Sequence, residues 1–270
     1  MVPRQVSLLL VATQFLTRLP VQLPAAFQPT WLAGALRYFP LVGGLVGALN
    51  VAVWWLCSRL FPPIVAVGLM LSASLLLTGA FHEDGFADTC DGFGGGNTPE
   101  RTLAIMKDSR IGAYGAIGIF MMLALKWATI VALPAVWLPL VIVSAHVASR
   151  WCALGLIWRL RYVRSTAEQG KSQPFDGGLS GIGWVTSGLI GAAVPLAVAA
   201  ISRAAVPDQV LTVAGAGLAG SAFVAVVSAG YFKSRIGGYT GDCLGAVQQV
   251  SELAFLLGAL VPLTAMRAAS

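Results

Sequence analysis

The reading of this chain turns on "PPIVAVGLMLSASLLLTGAFHEDGFADTCDGFGGG", residues 62–96. The run up to Phe81 is apolar and long enough to cross a bilayer. Directly after it, Glu83, Asp84, Asp88 and Asp91 fall within nine positions, four of the chain's eleven acidic residues. A bare carboxylate near hydrocarbon costs about 2.5 to 3.5 kcal/mol on insertion scales. Such a cluster therefore needs cations, water or a pocket around it.

The surroundings are consistent with a membrane. Of 270 residues, 57% are hydrophobic and 10% charged, well outside the averages of soluble domains. Runs of about 20 apolar residues predict spans near 38–58, 61–81, 111–133, 136–157, 179–202, 209–232 and 244–266. The expectation is an all-α polytopic bundle of about seven spans forming one domain, 1–270, since no Pro/Ser-rich or charged linker divides it. The segment "MVPRQVSLLLVATQFLTRLP" reads as a half-embedded N-terminal stretch, because no convincing small-residue cleavage site follows its apolar part. Lys126 falls inside a predicted span, so it must snorkel, pair or face the interior. His146, also inside a span, reads as an interhelical hydrogen bonder. The glycine-rich stretches "GGLVGAL", "GLIGAA" and "AGAGLAGSA" read as surfaces for close helix packing.

The net charge of +6 does not imply nucleic acid, because lipid orientation accounts for the basic residues. With a cytoplasmic N-terminus, Arg4, Arg18, Arg37, Arg101, Lys107, Arg110, Arg159, Arg161, Arg164, Lys171, Lys233 and Arg235 lie inside. Arg59, Arg203 and Arg267 lie outside. The asymmetry places the connections 82–110, 158–178 and 233–243 on the cytoplasmic face, where nearly all the unusual polar chemistry collects. Cys57, Cys90, Cys152 and Cys243 are far apart and form no CxxC pair; they read as buried thiols rather than zinc ligands or disulfides.

On a helix, Asp84, Asp88 and Asp91 at i, i+4 and i+7 share one face. A divalent cation relieves their mutual repulsion, and all-oxygen ligands favour Mg²⁺ or Mn²⁺ over zinc. The competing reading is a solvated acidic helix start, which leaves Gly85 and Gly92, each following an aspartate, unexplained. Gly92 is therefore a candidate substrate contact. His82, on roughly the opposite helical face, is a candidate general base or phosphate contact. Downstream, "MKDSRIGAYG" brings Lys107, Asp108 and Arg110 to the same boundary. "GGYTGDCLGA" brings Thr240 and Asp242, the latter also readable as a helix cap. Carboxylates, basic side chains and glycine loops at one membrane face suit a phosphorylated substrate attacked in line by an alcohol.

These segments carry a family resemblance. "FLTRLP" at 15–20, "YFPLVG" at 38–43, "HEDGFADTCDGFGGG" at 82–96, "RTLAIMKDSRIGAYG" at 101–115 and "GGYTGDCLGA" at 237–246 resemble the cobalamin synthase, or adenosylcobinamide-GDP ribazoletransferase, family. The resemblance implies a Mg²⁺-dependent, multi-pass enzyme of the bacterial inner membrane with cytoplasmic active-site loops. It implies joining of adenosylcobinamide-GDP to α-ribazole or its 5′-phosphate in late cobalamin synthesis, with release of GMP. It implies catalytic roles for His82, Asp84, Asp88, Asp91, Asp108 and Asp242 without settling which carboxylate binds metal; the metal assignment to Asp84, Asp88 and Asp91 rests on their shared helical face. Substrate contacts fall on Lys107, Arg110, Arg18, Thr240 and Gly92; Glu83 stays outside the site. A homo-oligomer, or docking of other cobalamin-assembly enzymes, is left open. "DTCDG" is also similar to the core of the CDP-alcohol phosphotransferase motif, but its DGxxAR continuation is absent, which counts against a phospholipid synthase. A divalent-cation transporter would place its carboxylates near the midplane rather than at one boundary.

Overall fold

A computed structural model describes residues 4–23, 28, 31–163, 178–201 and 209–269; Arg164, Lys171 and Arg203 of the charge census lie outside the described residues. The chain is helical: α1 (Arg4–Leu16), α2 (Trp31–Ala35), a 3₁₀ turn (Leu36–Tyr38), α3 (Phe39–Cys57), α4 (Pro63–Thr78), α5 (Phe81–Gly95), α6 (Pro99–Met106), α7 (Ala113–Ala132), α8 (Leu138–Arg159), α9 (Gly181–Ile201), α10 (Val210–Ile236) and α11 (Gly241–Ala269). Among the described residues there is no strand, only an isolated bridge between Tyr162 and Tyr239. Six helices are long and apolar enough to cross a membrane, or seven if α4 and α5, bent by 89° at their junction, are counted together as one broken span. The multi-pass bundle expected from sequence is the one found.

The helices sort by what surrounds them. In α8, 83% of the apolar window is buried inside the bundle, against 11% in α9. Thus α8 is the central helix and α9 turns most of its surface outward. Between α10 and α11 the backbones nearly touch: a Cβ on Gly258 would lie 2.5 Å from the carbonyl oxygen of Ala216. The small-residue stretch "AGAGLAGSA" is a packing surface, as its composition implies. Of the cysteines, all free, Cys152 and Cys243 are buried, whereas Cys57 and Cys90 are only partly so.

One corner positions the acidic helix. Gly79 (φ 67°) and Ala80 (φ 54°) are both left-handed, and α5 leaves α4 at 89°. Left-handed backbone at a residue with a Cβ costs about 1–2 kcal/mol, so the surroundings hold Ala80 there. A Cβ on Gly79 would run into the side chain of Arg18, and the Arg18 N–H donates to the Leu77 carbonyl at 2.7 Å. The segment after α1 thus braces the corner, and α5 lies across the end of the bundle.

Inside the bundle is a polar network centred on Glu252 of α11. Its Oε1 accepts from Lys126 Nζ of α7 at 2.7 Å. Its Oε2 accepts from Gln248 Nε2 at 2.6 Å and lies 3.4 Å from Arg150 Nη1 of α8. Lys126 also donates to Gln249 Oε1 at 2.6 Å, and Gln249 Nε2 donates to Glu83 Oε1 of α5 at 2.8 Å. His146 sits between Arg150 and Asn50 of α3, 3.0 Å from each. Lys126 therefore faces the interior and pairs, and His146 bridges helices. At about 1.5 Å of rise per residue, Arg150, Glu252 and Lys126 lie roughly 14 to 20 Å from the helix ends that carry the acidic cluster, near the middle of a core about 30 Å thick. The ion pairs there join Lys126 and Arg150 to Glu252.

Removing one partner of a buried pair leaves the other charge uncompensated, at a cost of about 3–5 kcal/mol. Glu252→Gln, which keeps shape and removes charge, should lower the unfolding temperature in detergent sharply, while Arg59→Gln at the opposite boundary leaves it in place. Unchanged stability of Glu252→Gln would contradict this network's role.

Candidate active site

Two helix starts meet at the end of the bundle. A Cβ on Gly85 of α5 would lie 3.0 Å from the Asp242 Cα, and one on Gly245 of α11 would lie 3.0 Å from the His82 carbonyl oxygen. Glycine at both positions lets α5 and α11 approach backbone to backbone. Asp84 and Asp88 on α5 are thereby brought beside Asp242, near enough for the three carboxylates to act on one another electrostatically. Lys107 acts on both Asp88 and Asp242 and lines a cleft with Asp242 and Thr240. The juxtaposition of residues about 150 positions apart, expected from topology, is present.

Thr240 and Asp242 divide their work differently from the capping alternative. Cys243 N–H donates to Thr240 Oγ1 at 3.2 Å, so Thr240 caps α11. Its hydroxyl also approaches Asp242 Oδ2 at 3.3 Å. The Asp242 carboxylate accepts from Thr240 and borders the pocket.

Asp91 is held differently from Asp84 and Asp88. It is buried, and its Oδ2 and Oδ1 accept from the Gly112 and Gly115 N–H groups at 2.7 and 2.8 Å. Gly112 is the N-cap of α7 and has no side chain to cap with; Asp91 supplies the missing acceptor from α5. Among the described residues, no group of three or more His, Cys, Asp or Glu side chains is gathered closely enough to hold a metal ion. Asp91 still acts electrostatically on Asp88, with both its oxygens engaged at the start of α7.

Other expected residues are also redistributed. Gly92 faces α6, where a Cβ would run into Met106, so it is a packing position rather than an open ligand approach. Arg18 braces the α4–α5 corner. Asp108 and Arg110 pair with each other at the surface, Nη2 to Oδ2 at 2.6 Å and Nε to Oδ1 at 3.0 Å. Arg110's side-chain and backbone hydrogen bonds hold the Asp108 carboxyl down at about 2. His82 is buried, and although it lies on the other side of α5 it borders the same cavity as Asp84.

That cavity, about 260 Å³, opens between α1, α3, α5, α8 and α11. Asp84 and Asp242 stand on its wall, with Arg150 and Gln248 farther along their helices. Sequence reading passed over Arg150, Gln248 and Glu252. Charged residues inside predicted spans were the available signal, followed for Lys126 but not for Arg150 or Glu252. Glu83, left outside the site, ties α5 to Gln249 of α11.

These features define a polytopic all-α membrane protein with a carboxylate and lysine pocket at one end of its bundle. The chain belongs to the Cobalamin-5-phosphate synthase family, whose model matches residues 8–260. It is 44% identical over 252 residues to adenosylcobinamide-GDP ribazoletransferase of Ralstonia pickettii, covering 92% of this chain and 93% of the relative. It is 40% identical over 263 residues to the enzyme of that name from Leptothrix cholodnii, covering 94% and 95%. No solved structure matches it.

If Asp91 serves α7, Asp91→Ala should cost about 0.5–2 kcal/mol, the range for a lost cap, while Asp84→Ala and Asp88→Ala leave stability unchanged or raise it by relieving repulsion. Thermal unfolding in one detergent compares them. Asp91→Ala as stable as the other two would return Asp91 to the pocket.

Proposed function

We infer that this protein transfers the adenosylcobinamide phosphate of adenosylcobinamide-GDP to a ribose hydroxyl of α-ribazole or its 5′-phosphate and releases GMP. The observation that supports it most is the convergence of Asp84 and Asp88 with Asp242 beside Lys107. In the step, the hydroxyl oxygen forms a bond to the phosphorus nearest the cobinamide. The bond from that phosphorus to the bridging oxygen breaks, and its electron pair leaves with GMP. The hydroxyl proton passes to a carboxylate, for which Asp84 and Asp242, on the cavity wall, are placed. Lys107, beside Asp88 and Asp242, would offset negative charge on the phosphates.

Mg²⁺, or Mn²⁺, fits this donor set: the ligands are all carboxylate oxygens, and Mg²⁺ is held by one or two carboxylates with substrate phosphates and water rather than by a closed protein cage. Asp84 and Asp88, with Asp242, would hold it through the substrate phosphates, since among the described residues no three carboxylates are gathered into a cage of their own. When bound, the ion supplies charge neutralisation at the diphosphate. Arg110, at the surface on Asp108, is free to exchange that partner for a phosphate.

The midplane charges do not favour ion transport. They are bonded to one another, and the void beside them, about 20 Å³, holds about one water. The Lys/Arg asymmetry supports a cytoplasmic site in a bacterial inner membrane.

Purified protein in liposomes, given adenosylcobinamide-GDP, α-ribazole and Mg²⁺, should release GMP and a cobalamin product in equal amounts. EDTA should abolish the reaction, with Mg²⁺ or Mn²⁺ restoring it better than Zn²⁺. Absence of GMP release under these conditions would overturn the reading.

A further inference from the structure

The connection into α11 is held from outside its own two helices. α10 ends on Gly237, which is left-handed (φ 77°), and α11 starts at Gly241, so residues 237–240 carry the chain to Asp242. The segment that leaves α8, residues 161–163, lies alongside this connection and bonds to it three times. The Tyr239 N–H donates to the Arg161 carbonyl at 3.0 Å and the Val163 N–H to the Tyr239 carbonyl at 2.8 Å, which makes Tyr162 and Tyr239 a parallel bridge. Arg161 Nε donates to the Gly237 carbonyl at 3.1 Å. The rings of Tyr162 and Tyr239 meet edge to face at 5.5 Å, and Tyr239 is buried. At Gly238 the two backbones approach so closely that a Cβ would run into the Arg161 carbonyl oxygen. Only glycine permits that approach.

Two observations tie this strap to the pocket. Tyr162 and Asp242 each border both the cavity and the Lys107 cleft, so strap and carboxylate stand side by side between the two. Asp242 is also crowded by Asp84 and Asp88, and like charges push apart. At the first turn of a helix that force moves the chain outward unless the connection is held. The close contacts of α10 with α11 at Gly220 and Gly258 lie far along both helices from this point; the strap supplies the restraint at this end. We propose that residues 161–163 are a strap that holds Asp242 in register with Asp84 and Asp88, with Arg161 and Gly238 as positioning residues for the phosphoryl transfer. The proposal rests on the functional reading above, since the strap affects the reaction only if Asp242 does. Among the described residues, neither Arg161 nor Gly238 borders the cavity or the cleft, so their influence on rate runs through the carboxylate they place.

The test measures GMP release at saturating substrates. Gly238→Ala forces the two backbones apart and should lower kcat at least about 10-fold. Gly230→Ala, earlier in α10 where a Cβ meets nothing, should leave kcat within about twofold. A purely structural role predicts the same proportional loss in every background. A positioning role does not: in Asp242→Asn, Gly238→Ala should change kcat by no more than about twofold, because the carboxylate it places is gone. Arg161→Ala keeps the backbone bridge and removes one bond, so it should show a smaller loss with the same dependence on Asp242, and it serves if Gly238→Ala fails to fold. If Asp242→Asn is too slow to measure, the Mg²⁺ concentration at half-maximal rate decides, rising about 10-fold in the strap variant and staying in place in Gly230→Ala. An unmoved kcat in the strap variant, a loss undiminished in Asp242→Asn, or, where that background is too slow, an unmoved Mg²⁺ requirement would overturn the proposal. No GMP from the wild type with any acceptor would instead remove the functional reading, and the strap's role with it.

Discussion

Glu252 is a carboxylate in the middle of a bundle surrounded by lipid, and the rest of the structure is arranged around keeping it paired. An isolated charge there is expensive, so the bundle is stable only when α7 presents Lys126, α8 presents Arg150 and α11 holds Glu252 between them. This fixes the depth of three helices relative to one another, which apolar packing between smooth helix surfaces in lipid specifies weakly. The adjacent Gln249 carries the register to α5 through Glu83. Asp242 stands ten residues, about 15 Å, up the same helix from Glu252. The pairing at midplane thus sets the position of a carboxylate at the boundary.

The second constraint is the corner at Gly79 and Ala80. Had α4 continued straight, the acidic segment would project from the bundle as a solvated helix end. Bent by 89°, α5 instead lies over the start of α11, with its glycine-permitted approach placing Asp84 and Asp88 next to Asp242. The same helix uses Asp91 to hold the start of α7. One short helix therefore organises the carboxylate pocket and anchors a membrane span.

How much of this was legible follows from where the information resides. Spans are a property of composition over 20 residues, so six of them could be read to within a few residues, and pairing toward the interior was one of the outcomes open to Lys126. The convergence of the acidic segment with Asp242 was legible from topology, since both precede or follow spans at one face. Asp91 was not, because its partners are backbone N–H groups 21 and 24 residues on, which no side-chain pattern displays; the only hint is a glycine at the N-cap of α7. Helical periodicity correctly places Asp84, Asp88 and Asp91 along one helix but says nothing about which neighbour each meets. Thr240 rather than Asp242 capping α11 follows from the N-cap residue bonding the third N–H, a spacing present in "TGDC" and resolved only by geometry. Arg150 and Glu252 are single charges in otherwise apolar runs, and their pairing across about 100 residues needs the fold.

The central claim is that carboxylates from α5 and α11 form one pocket and act as a unit. GMP release by Asp84→Asn, Asp242→Asn and the double variant tests it most directly. Groups that act together are strongly non-additive, so the double variant should be little slower than the slower single variant, within about threefold. A double variant whose loss equals the product of the two single losses would mean that the carboxylates act independently, and would contradict the pocket.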